Sequence, residues 1–157
     1  MEFYAPQYPE GLSIVVFPDK LEGQIDNINA LNHYIGMKGF SEASFPELQY
    51  LTYLIGGLAV LVLSAAFIRK KAYLYSVISL FIIGGALGVW DLRRWLVSYG
   101  TELDPKAPIE MEPFIPPMLG ENIVANFTTQ SLLQPGSYLV IIAFLLLLIP
   151  LWKERRK

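Results

Sequence analysis

The chain has 157 residues, 54% of them hydrophobic and 17% charged, where soluble domains carry about a quarter charged residues. Twelve Lys and Arg against fourteen Asp and Glu leave a net charge of −2, without the basic excess that would draw a protein to nucleic acid. The absence of cysteine excludes disulfides, thiolate metal sites and haem attachment through Cys-x-x-Cys-His.

Pro6, Pro9 and Gly11 make the opening extended and rich in turns. Residues 12–17 include the β-branched Ile14, Val15 and Val16 and partly alternate, which predicts a strand. Pro18-Asp19-Lys20 is a turn, and residues 21–25 supply a return strand. Asp26 or Asn27 can cap a helix running to about Met37, with Gly36 and Gly39 weakening its end. Ser44-Phe45-Pro46-Glu47 leads into an apolar run, with Pro46 expected in its first turn.

Residues 51–68 and 72–90 are uncharged and separated by Arg69-Lys70-Lys71; residues 136–152 form a third apolar run, with Pro150 near its end. At about 1.5 Å of rise per residue, each run can cross a hydrocarbon core of about 30 Å. Gly56, Ala59 and Ala66 share one face of the first run, and Gly84 and Gly88 lie four apart in the second. Small residues so placed predict seams where membrane helices approach closely. Tyr50, Tyr53, Trp90 and Trp95 are expected at one membrane interface, and Tyr73, Tyr75 and Trp152 at the other.

The basic turn and the last five residues hold seven of the twelve bases and one acid, Glu154; everything else holds five bases and thirteen acids. That is +6 against −8. Positive loops stay cytoplasmic, so the turn and the C-terminus are expected inside and the N-terminus outside. Four segments follow: 1–49 outside, a helical hairpin over 50–90, a proline-rich outer loop over 91–135, and a third span with a basic tail over 136–157. The expected fold is therefore a mainly α membrane protein, three transmembrane helices carrying a small α+β extracytoplasmic domain. The opening MEFYAPQYPEG has neither the basic nor the apolar region of a signal peptide. Its crossing needs either translocation by the first span or an anchor ahead of Met1, and the second is favoured.

The second helix is expected to project beyond the bilayer to about Leu96, with Arg93 and Arg94 paired to outer carboxylates or lipid phosphate. The loop after it carries Pro105, Pro108, Pro113, Pro116 and Pro117. A loop this long without periodicity is either functional or packed on another domain. Asn126-Phe127-Thr128 matches a glycosylation sequon by pattern alone. No span contains Asp, Glu, Lys, Arg or His, which argues against a channel or ion-coupled transporter acting alone.

The single histidine is His33. On a helix over 26–37, residues Asp26, Asn29, His33 and Met37 fall within an arc of about 80°, opposite Ile28, Leu31 and Ile35. Imidazole and thioether one turn apart suit a soft ion, above all Cu(I), and Met111 and Met118 of the outer loop could complete the site. So sparse a ligand set would be labile, which suits delivery better than catalysis. A haem axial pair is excluded, because two ligands on one helix cannot reach opposite faces of one iron. Set against the copper reading, a lone histidine is commonly structural and methionine commonly fills gaps. Glu10, Glu22, Asp26, Glu47, Asp104, Glu110 and Glu112 read as a solvated acidic surface or a docking face. No P-loop, Rossmann glycine pattern or nucleophile–base constellation is present, so no catalytic residue is nominated.

Ala5-Pro6-Gln7-Tyr8-Pro9-Glu10-Gly11-Leu12, Leu31-Asn32-His33-Tyr34-Ile35-Gly36-Met37, Leu103-Asp104-Pro105-Lys106-Ala107-Pro108-Ile109 and Pro116-Pro117-Met118-Leu119-Gly120 together resemble a family of small bacterial membrane proteins. That family occurs with gene clusters for nitrous oxide reductase and its copper-handling accessory proteins. The resemblance implies the bacterial inner membrane. It also implies a non-enzymatic accessory role in copper handling or in assembly of a periplasmic copper enzyme, with His33 and Met37 as the leading ligands. The competing expectation is a structural subunit of a respiratory membrane complex, with the acidic outer domain as a docking surface.

Overall fold

A computed structural model describes residues 1–68, 70–124 and 127–154, which fall into two units. A sheet unit comprises Met1–Thr52 and Trp90–Leu132; a helical unit comprises Tyr53–Val89 and the described part of Leu133–Lys157. Arg69 of the basic turn, Asn126 of the sequon and residues 155–157 of the basic tail lie outside the described residues.

The sheet unit is built on five antiparallel strands: β1 (Glu2–Ala5), β2 (Tyr8–Val16), β3 (Leu21–Gly23), β4 (Gly120–Val124) and β5 (Phe127–Ser131), in the order β3-β2-β1-β5-β4. In β2 the alternation is physical: Leu12 and Ile14 are buried while Ser13 and Val15 are only half-buried, so one face closes the core. The hairpin of β2 and β3 matches the expectation from residues 12–25. Strands β1, β4 and β5 do not appear in the sequence pattern. β5 reads Phe-Thr-Thr-Gln-Ser, and its buried positions are polar. Thr129 Oγ1 donates to the Asn122 carbonyl at 3.3 Å and Ser131 Oγ to the Pro117 carbonyl at 2.7 Å. Those bonds replace the hydrophobic alternation that would have announced a strand. β1 pairs with β2 on one side and with β5 on the other, where Phe3 stands opposite Thr129 across almost the whole chain.

Helix α1 (Ile25–Ile35) packs Ile28 and Ile35 into the core. Its start corrects the expected cap at Asp26 or Asn27: the N-cap is Gln24, and no side chain caps the helix. β3 runs directly into the helix, and Gln24 Oε1 instead accepts from the Ser13 N–H at 2.8 Å and hydroxyl at 3.1 Å. Its end is also earlier than expected. Gly36 adopts φ +75°, and the Met37 N–H returns to the Asn32 carbonyl at 2.9 Å. Met37 therefore does not continue the helix. Asn29 then fixes the returning chain, donating to the Phe40 carbonyl at 2.8 Å and accepting from the Phe40 N–H at 2.6 Å.

Three helices are long and apolar enough to cross a membrane: α2 (Leu48–Phe67), α3 (Lys71–Thr101) and α4 (Pro135–Glu154, with Pro135–Trp152 the apolar part). Pro46 lies just ahead of α2 rather than in its first turn, its carbonyl accepting from the Gln49 N–H at 3.3 Å. α3 runs eleven residues past Trp90, beyond the expected projection to Leu96, and its last turns belong to the sheet unit. There Arg94 meets Asp91 at 2.8 Å and Glu47 at 4.0 Å.

In the helical unit the contacts gather toward the α2–α3 turn. Val77, Ile78 and Leu147 are buried among Leu61, Val62, Ala65, Phe81 and Phe144, and Tyr73 shares a 2.5 Å hydrogen bond with Ser64. This corrects the expected seams. A Cβ on Gly56, Gly84 or Gly88 would meet nothing within 4 Å, and Ala59 and Ala66 are exposed. Branched and aromatic side chains interlock on other helical faces, so the small residues stay outside the intrachain contact.

Candidate functional site

The core of the sheet unit holds the chemically notable residues. Phe40 is its hub, with ring centroids 4.7 Å from Tyr99, 5.3 Å from Trp95, 6.3 Å from Phe3 and 6.4 Å from Phe45. Trp95 stacks on Tyr99 at 4.9 Å, so it is a packing residue here, not the interface anchor the sequence predicts. Packing brings α3 side chains against α1 and the segment that follows it.

Beside this cluster lies an apolar cavity of about 30 Å³, room for one water-sized body. Phe3, Ile28, Asn32, Met37, Met111 and Phe114 are among its lining residues. Met37 is buried and Met111 half-buried, both packed in the same core. The expected ligand set thus divides. Met37 and Met111 both line this cavity. His33 points to the exposed surface of α1, and Met118, half-buried, is not among the lining residues. The helical pairing of His33 with Met37 is lost because Gly36 turns the chain between them. Asn32 was overlooked in the sequence, although it sits one turn from Ile28 on the apolar stripe. That position was the available signal.

Asn32 donates to the Lys38 carbonyl at 3.1 Å. Tyr99 is 1% exposed, and among the described residues its hydroxyl has no hydrogen-bond partner. An unpaired buried hydroxyl costs about 1–3 kcal/mol. Tyr99→Phe removes that cost and keeps the ring, so it is expected to raise stability by about 1 kcal/mol, read as a higher urea midpoint for the sheet unit.

A second depression of about 250 Å³ is lined by Lys38, Gly39, Ser44, Trp95, Ser98 and Tyr99. The Lys38 ammonium contacts Glu102 at 2.5 Å and Ser98 Oγ at 3.0 Å. It holds the Glu102 carboxyl below the usual carboxylate range. The pair is solvent-exposed, so it contributes little stability, and its charge is already matched within the chain.

Among the described residues no three His, Cys, Asp or Glu side chains gather as a metal cluster. The two thioethers stand apart from that pattern, as ligands for soft ions rather than hard ones. All thirteen acids outside the basic tail fall in the sheet unit with five bases, while the helical unit holds seven bases and Glu154. No known protein family, curated protein or solved structure matches the chain.

Proposed function

We propose that this chain is a non-enzymatic accessory protein anchored in the bacterial inner membrane. Its N-terminus faces outward and its C-terminus the cytoplasm. Its sheet unit handles Cu(I) or helps to assemble a periplasmic copper enzyme such as nitrous oxide reductase. The reading rests on one observation: Met37 and Met111, distant in sequence, line the same apolar cavity. Thioethers bind Cu(I) without deprotonation, and a two-sulfur site is weak enough to release its ion. The charge division supports the orientation, acids on one unit and bases on the other.

Titration of the purified protein with Cu(I) against a competing chelator tests this. Loss of a supporting neighbour alone weakens metal sites by about 10–100-fold, so Met37→Leu and Met111→Leu are each expected to cost about tenfold or more. Leucine keeps the volume of methionine and preserves the core. His33→Ala and Met118→Leu should leave the affinity unchanged. Binding indifferent to both core methionines would remove the copper reading.

The acidity of the sheet unit supports a second reading, a structural subunit of a respiratory membrane complex. Glu10, Glu22 and Asp26 are all exposed and could meet a basic partner. Purification in gentle detergent separates the two readings: a subunit travels with a larger complex, and a free accessory protein does not.

A further inference from the structure

The sheet unit leaves several apolar side chains open, and two of them adjoin the chain's entry into α4. Leu119 and Leu132 are 60% and 56% exposed. They flank the paired residues Gly120 and Ser131, which places them opposite each other at the open end of the β4–β5 hairpin. Pro117 is tied to the same end by the Ser131 hydroxyl at 2.7 Å. Both leucines stand just beyond the strands and are left open at that end.

Connectivity says what covers them. Only Leu133 and Gln134 separate Leu132 from Pro135, the first residue of α4. Three residue steps reach at most about 11 Å, so this end of the hairpin is leashed to the beginning of a helix apolar enough to cross a membrane. The headgroup layer on each side of a bilayer is itself about 5–8 Å deep. No charged residue lies between Glu121 and Lys153 to hold the linkage in water.

We infer that the open end of the β4–β5 hairpin is a lipid-contacting rim, with Leu119 and Leu132 seated in the membrane interface. The far end of the hairpin, around Ile123, stands away from the lipid. The inference rests on the membrane reading of the three helices and not on copper. It gives the sheet unit a second attachment to the bilayer besides its covalent ones. Side chains at an interface gain from burying their apolar part while the strand ends keep their polar groups wet.

The cysteine-free sequence makes the test direct. Single spin labels are placed at Leu119→Cys, Leu132→Cys, Ile123→Cys and Leu87→Cys, and the protein is reconstituted in phosphatidylcholine–phosphatidylglycerol vesicles. All four positions are exposed, so the packing is preserved. Collision with oxygen, which concentrates in lipid, is compared with collision with a water-soluble nickel chelate. Labels at 119 and 132 are expected to favour oxygen several-fold over the label at 123. Equal nickel access at 119, 132 and 123 would overturn the proposal. So would protection of 119 and 132 from both agents, or spin–spin broadening relieved by unlabelled chain, which would put protein on that rim. The label at 87 reports the membrane reading itself: an aqueous signal there would sink both, whereas a lipid signal there with aqueous rim labels would sink the rim alone.

Discussion

Gly100→Ala is expected to destabilise the sheet unit by about 3 kcal/mol, although alanine is the better helix former by about 1 kcal/mol. Gly100 lies one residue before the end of α3, where the proline-rich loop crosses it. A Cβ there would run into the Phe114 carbonyl oxygen and stand 2.9 Å from the carbonyl carbon and 3.0 Å from Pro116 Cδ. The obstacle is backbone, so it cannot swing aside. It is held there because the Phe114 N–H donates to the Gly100 carbonyl at 3.0 Å. Moving the loop sacrifices that bond, at about 1–3 kcal/mol, and adds overpacking strain of about 1–3 kcal/mol. These outweigh the helix propensity. Gly85→Ala supplies the contrast: its Cβ would meet nothing within 4 Å, so stability should hold or rise slightly. Urea midpoints of the two variants in detergent, with proteolysis of residues 102–119 as a second readout, decide the matter. A Gly100→Ala midpoint equal to that of Gly85→Ala would show that the loop does not press on α3.

Phe40→Ala should cost about 4 kcal/mol. The ring is buried and contacts four other aromatic rings. The cavity left behind cannot readily close, because both backbone groups of Phe40 are bonded to Asn29 and hold the chain in place. Small domains keep only about 5–15 kcal/mol in all, so such a loss brings the sheet unit near its threshold. Phe40→Leu, which fills most of the volume, should cost clearly less. The check is near-ultraviolet circular dichroism and the urea midpoint, with far-ultraviolet helix signal as the control. A loss confined to the aromatic signal at unchanged midpoint would mean that the cluster is ornamental to stability.

The two variants mark where the sequence was legible and where it was not. The β2–β3 hairpin and the inward face of α1 could be read because each buries residues at its own period, Leu12 and Ile14 along a strand, Ile28 and Ile35 along a helix. β4 and β5 could not, since inward positions of β5 are Thr129 and Ser131, satisfied by the Asn122 carbonyl of β4 and the Pro117 carbonyl of the loop before it. Of the four expected ligands, residue type was readable and proximity was not. Gly36 sends Met37 inward and leaves His33 outside, and a helical wheel drawn through both has no term for that turn. Met111 comes to the same cavity as Met37 from a proline-rich loop pinned to the end of α1, the Asp104 N–H donating to the Gly36 carbonyl at 2.8 Å and the Ile109 N–H to the Tyr34 carbonyl at 3.0 Å.

The sequence by itself determined three uncharged apolar runs of membrane length and the separation of acids from bases. Both are sums over contiguous residues, and hydrophobic transfer and charge add along a chain without regard to what it later touches. Only the tertiary structure decided which residues share a core. It joined β1 to β5, seated Trp95 and Tyr99 of α3 against Phe40, and set the two thioethers at one cavity while leaving the glycine faces of α2 and α3 open. Those outcomes depend on side-chain volume and on backbone groups finding partners far away in the chain, and neither quantity is local.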